Sequence, residues 1–96
     1  MSKFDITGQQ GFHITFDNGW TVSVQFGRGN YCANRNNPIW DVSGSGSKDA
    51  EIAAWDANGK WFEDKDGNTV QGHMKADAVL AFMNKIAAMA PAAAVE

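Results

Sequence analysis

The feature that most constrains this chain is a turn signal set between two alternating runs, in "GFHITFDNGWTVSVQFG" at residues 11 to 27. Phe12, Ile14 and Phe16 alternate with His13 and Thr15, and Trp20, Val22, Val24 and Phe26 alternate with Thr21, Ser23 and Gln25. A period of two is the mark of half-buried β-strands. Parity then fixes the length of the connection. A two-residue Asn18-Gly19 loop would set Phe16 opposite Thr21 and mix the two faces, because directly opposed residues project to the same side of a sheet. A three-residue loop of Asp17, Asn18 and Gly19, with Gly19 left-handed at a G1 bulge, pairs Phe16 with Trp20, Ile14 with Val22 and Phe12 with Val24.

The same reasoning applies to "AEIAAWDANGKWFEDKDGNTVQGH" at residues 50 to 73. A loop of Ala57, Asn58 and Gly59 pairs Asp56 with Lys60, Trp55 with Trp61 and Ala54 with Phe62. A loop of Lys65, Asp66 and Gly67 then pairs Phe62 with Val70 and Trp61 with Gln71. Ile52, Ala54, Phe62 and Val70 are thereby expected on one face, and Glu51, Ala53, Trp55, Trp61, Glu63, Gln71 and His73 on the other. Beyond His73 the period becomes helical: Val79, Phe82, Met83, Ile86, Ala87 and Ala90 form an i, i+3, i+4, i+7 stripe, Lys75 is a weak N-cap, and Pro91 stops the helix. "KFDIT" reads as an edge strand joined through Gly8, Gln9, Gln10 and Gly11. The expectation is an α+β fold, an antiparallel sheet of five to six strands built from successive hairpins with one C-terminal helix packed on one face. Residues 1–90 form a single domain and 91–96 a flexible tail.

Composition limits the function. A chain of 96 residues supports one modest core. A formal net charge of -3 makes a nucleic-acid partner unlikely, and a single cysteine rules out an intramolecular disulfide. No apolar run approaches the ~18 residues of a membrane span, so the expected place is the cytoplasm, away from membranes. One cysteine and two distant histidines do not make up a metal site, and neither "DKDGN" nor "GRGN" has the spacing of a calcium or phosphate loop. No metal and no cofactor are expected. Cys32 with His13 or His73 has the residue types of a thiol dyad, but a lone cysteine in such a chain is first a small buried hydrophobe.

Residues 27 to 49 have no convincing periodicity, and a connection of that length inside a small domain tends to be functional or disordered. It is not uniform: "SGSGSKD" has the composition of a flexible linker, whereas residues 27 to 42 hold Arg28, Asn30, Tyr31, Asn34, Arg35 and Trp40. Asparagines that tolerate turns explain such a stretch as a well-capped loop. Arginine forks beside aromatic rings equally suit a recognition surface. Trp55 and Trp61, opposed among polar neighbours, are the second candidate: a cross-strand aromatic pair packed for stability, or a rimmed apolar patch that meets a partner or a second copy.

The string F-D-N-G-W-T-V-S-V-Q-F-G-x-G-N-Y-C, followed by "AEIAAWDANGKWF" and an "ADAVLAFM" helix, resembles small uncharacterised accessory proteins of tailed bacteriophages and prophages. The resemblance spans roughly residues 10 to 90 and brings no active site with it. It implies a protein that binds a host factor, such as a defence component, rather than an enzyme. The residues themselves offer the long loop and the tryptophan face as the surfaces through which it would inhibit or modulate that partner. Two other readings stand beside it. One is a binder or sequestering protein for a small nucleotide signal, with Arg28 and Arg35 on phosphate and Tyr31 or Trp40 stacked on the base. The other is a homodimer.

Overall fold

The alternating runs become strands because each can turn one row of side chains toward a common core. A computed structural model of the chain describes residues 2–8, 10–27, 30–33, 35, 36 and 46–92. Its elements are β1 (Lys3–Thr7), β2 (Gly11–Thr15), β3 (Thr21–Gln25), β4 (Ala50–Trp55), β5 (Val70–Met74) and α1 (Ala76–Ala87). The strands form one antiparallel sheet in sequence order. Phe12 lies against Val24 and Ile14 against Val22, and the Phe16 N–H donates to Trp20 O at 2.8 Å, which is the register expected from parity. Gly19 takes φ +86°, and Gly59 and Gly67 repeat that conformation in the next two turns.

The Trp20, Val22, Val24, Ala50, Ile52 and Ala54 row meets Val79 and Ile86 of α1 to form the buried core. Ala87 is exposed and Ala90 lies beyond the helix end, so the buried stripe is shorter than the sequence suggests. The first hairpin turn also closes the helix. The Asn18 side-chain amide donates to Ile86 O and Met89 O, both at 2.9 Å, and the Trp20 indole N–H donates to Ala90 O at 3.1 Å. Ile86 O also accepts the Met89 N–H at 3.1 Å, and the turn adds its side-chain donors to the carbonyls at and beyond the helix end.

Two expectations are corrected. Trp61 reaches Trp55 in an isolated bridge and the Phe62 N–H donates to Ala54 O at 2.9 Å, but residues 60 to 62 go no further as a strand. The following turn forms as expected, with Asp64 N–H bonded to Asn68 O at 3.0 Å. The returning segment then pairs with β4 itself. Val70 lies opposite Ala53 and Gln71 opposite Ile52, not opposite Phe62 and Trp61. Val70 therefore leaves the core face and Gln71 leaves the tryptophan face. The edge of β4 was still open, and pairing there puts Met74 against the core. A bulge between Ala50 and Ile52 absorbs the mismatch, with His73 in the left-handed region at φ 54°.

A helix about 10 Å across covers roughly two strands spaced ~4.8 Å apart. Here α1 packs on β3 and β4. The helix side of β1 is bare: Phe4 is 75% exposed and Ile6 84%.

Candidate functional site

The face of the sheet away from α1 carries Lys3, Asp5, Thr7, His13, Thr15, Thr21, Ser23, Gln25, Glu51, Ala53 and Trp55, as the registers require. Its polar members bond among themselves: Gln25 joins Thr7 and Ser23, and Thr15 meets Thr21 at 2.9 Å. His13 of β2 and Trp55 of β4 lean across β3 until their rings meet edge to face, with centroids 5.0 Å apart. Ser23 and Ala53, in the row shared with His13, are buried. His13, which the strand alternation puts on the polar face, is half-buried and part of an aromatic ladder.

Trp61 continues that ladder. Its ring lies 5.2 Å from Trp55 at an interplanar angle of 35°, and 44% of the residue stays exposed. The loop of Ala57, Asn58 and Gly59 holds this geometry because buried Asp56 accepts the Asn58 and Lys60 N–H groups at 2.9 Å each through Oδ1. Trp61 also walls an open groove of about 380 Å³, lined by Trp20, Asp56, Lys60, Phe62, Glu63 and Met89. Its lining mixes the apolar side chains of Trp20, Trp61, Phe62 and Met89 with three charged residues. The Trp20 indole N–H and Asp56 Oδ1 are already engaged in the hydrogen bonds described above, which leaves Lys60 and Glu63 as the other charged members of the lining. The lining comes from Trp20, from Asp56 with residues 60–63, and from Met89, and no local pattern in the sequence announces that these meet.

Arg28, Asn34 and Trp40 lie outside the described residues. Asn30, Tyr31 and Arg35 are described, and they sit at the other end of the face. The Tyr31 N–H donates to Glu51 Oε1 at 3.0 Å, Tyr31 O accepts the His73 N–H at 2.8 Å, and the Ala33 N–H donates to buried Asp49 Oδ1 at 2.6 Å. The second Asp49 oxygen lies 3.4 Å from His73 Nδ1. Asn30 donates to Gln10 Oε1 at 3.1 Å. Cys32 is buried, with its thiol 3.5 Å from Gly27 O. The Arg35 guanidinium stacks over the exposed Tyr31 ring at 4.4 Å.

Glu51 and Trp55 are four positions apart on β4, about 13 Å at ~3.3 Å per residue. The loop residues and the tryptophan pair therefore form two patches rather than one. Among the described residues no three His, Cys, Asp or Glu side chains cluster so as to hold a metal ion, and no helix is long and apolar enough to cross a membrane. Comparison with protein family models, curated proteins and solved structures returns no match.

Proposed function

We propose that this protein is a binding protein, not an enzyme, and that it captures a partner protein by taking an apolar side chain into the groove beside Trp61. The observation that carries this reading is the half-exposed Trp61 ring braced on Trp55 at 5.2 Å. Tryptophan is enriched among residues that dominate binding energy, and a ring already held by packing loses little freedom when a partner arrives. Lys60 and Glu63 put charges of both signs beside the apolar side chains that line the groove, the mixture of residue types found at interfaces. The resemblance to phage accessory proteins makes the partner a host protein met in the host cytosol, and the net charge of -3 favours a partner with a basic surface.

The Arg35 guanidinium over Tyr31 supports a second reading, a phosphorylated small ligand bound at the loop end. Paired captures from host lysate separate the two. A protein retained by wild-type bait and by Arg35→Ala, but lost with Trp61→Ser, supports the groove. A protein retained equally by the wild type and Trp61→Ser removes it. A melting-temperature rise with nucleotides that disappears in Arg35→Ala moves the site to the loop end.

A further inference from the structure

The edge strand β1 is only partly protected. Proteins blunt such strands with short length, charged side chains, proline, bulges or a covering segment, because a row of unpaired N–H and C=O groups pairs with other chains. Of these β1 has the charges of Lys3 and Asp5, which are of opposite sign and so able to pair. β1 runs five residues without proline, and two of them, Phe4 and Ile6, are exposed apolar side chains on the helix side.

The direction of its backbone groups follows from the hairpins. Phe16 donates to Trp20 O across β2 and β3, and the Phe26 N–H donates to Gln10 O at 2.8 Å on the same ladder. Antiparallel alternation therefore turns the even-numbered residues of β2 toward β3 and the odd-numbered ones toward β1. Lys3, Asp5 and Thr7 lie opposite Thr15, His13 and Gly11, so their N–H and C=O groups answer β2. Those of Phe4 and Ile6 point outward.

We infer that β1 pairs antiparallel with β1 of a second copy, about a two-fold axis beside Phe4, joining two sheets into one. Side-chain parity allows only registers that keep the faces matched. A register centred on Asp5 sets two carboxylates directly opposite each other. The register centred on Phe4 sets Lys3 opposite the second copy's Asp5, twice by symmetry, on the face away from the helices. Phe4 meets its own counterpart on the helix side, and Ile6 lies opposite Ser2. The odd-numbered residues then occupy the non-hydrogen-bonded sites, where opposed side chains come closest and ion pairs form best. Within one copy, the Lys3 amine lies 3.5 Å from the Asp5 carboxylate with both side chains at least half exposed, a solvated pair worth little to the monomer, whose members can exchange partners across the axis. The surface is separate from the groove at Trp61, and its test does not depend on that reading. Two strands and one aromatic pair make a small interface, so the association is expected in the micromolar range.

Sedimentation of the full chain across a micromolar-to-millimolar loading range reads this out. Wild type moves from monomer to dimer with concentration. Lys3→Asp gives an all-acidic edge and Asp5→Lys an all-basic one, and each alone weakens self-association by about tenfold or more. An equimolar mixture of the two variants restores the dimer, and so does the double exchange Lys3→Asp with Asp5→Lys in one chain. Wild type that stays monomeric throughout, or a dimer indifferent to all of these changes, overturns the inference. A dimer restored by the mixture but not by the double exchange overturns the register centred on Phe4.

Discussion

The two ends of the sheet face away from α1 use similar residues for opposite purposes. At the end near Glu51, Tyr31 to Ala33 are fastened through the main chain: three backbone groups bond to Glu51, Asp49 and His73, and Cys32 is sealed beneath. At the other end, Trp61 is held by one ring contact and a bridge to β4, and nearly half of it remains open. Both rings reach solvent, Tyr31 at 52% and Trp61 at 44% exposure, so the ends differ in how firmly the main chain is fastened and not in how much ring they offer. The loop end should therefore respond to mutation mainly in stability and the tryptophan end mainly in binding.

Gly72→Val should produce the largest effect. A Cβ at Gly72 would come within 2.6 Å of Tyr31 Cβ and 3.1 Å of Tyr31 O, so the loop has to lift from β5. The expected loss lies toward the upper end of the ~1 to 3 kcal/mol range for overpacking, read by urea denaturation. An unchanged midpoint would show that the loop end is not fastened. Asp49→Ala comes next: the Ala33 N–H loses its acceptor, at about 1 to 3 kcal/mol, and amide exchange at Ala33 should accelerate while that of Val24 stays slow. Cys32→Ser is smaller, about 1 kcal/mol, because a buried hydroxyl costs free energy but can still donate to Gly27 O where the thiol now sits. Complete loss of binding in a folded Cys32→Ser protein would make the thiol functional and erase the distinction between the two ends.

The smallest effect belongs to the solvent-exposed turn beyond Trp61. The Asn68 N–H, with help from the Asp66 N–H, holds the Asp64 carboxyl below the usual aspartate range. A carboxyl whose pKa is depressed on folding stabilises the fold above its unfolded value, near 3.9, and that contribution fades as pH falls through the lower folded value. NMR titration should find Asp64 ionising below an ordinary aspartate, and Asp64→Asn should flatten the acid limb of stability slightly. An ordinary titration would mean that the turn is not formed in solution.

The hairpin registers were legible because parity is arithmetic on adjacent residues: once Gly19 sets a three-residue loop, Ile14 has to meet Val22. The partner of β5 was not legible. Val70 could pair with Phe62 or with the open edge of β4, and both choices satisfy the turn at Asp64, so the decision lies in tertiary packing around Met74. The tryptophan pair was found from the Ala57, Asn58 and Gly59 loop. The groove beside it was not, because Met89 arrives from beyond the helix and nothing local marks it. The bare helix side of β1 could have been anticipated by comparing the width of one helix with that of the sheet.

The most direct test of the account compares affinities at the two ends against one captured partner. Isothermal titration of wild type, Trp61→Ser and Arg35→Ala, with melting curves for each, should show Trp61→Ser weakened by about 2 kcal/mol or more with only a small fall in melting temperature, and Arg35→Ala close to wild type in both. Wild-type affinity in Trp61→Ser, with the loss falling on Arg35→Ala instead, would contradict it and assign recognition to the loop end.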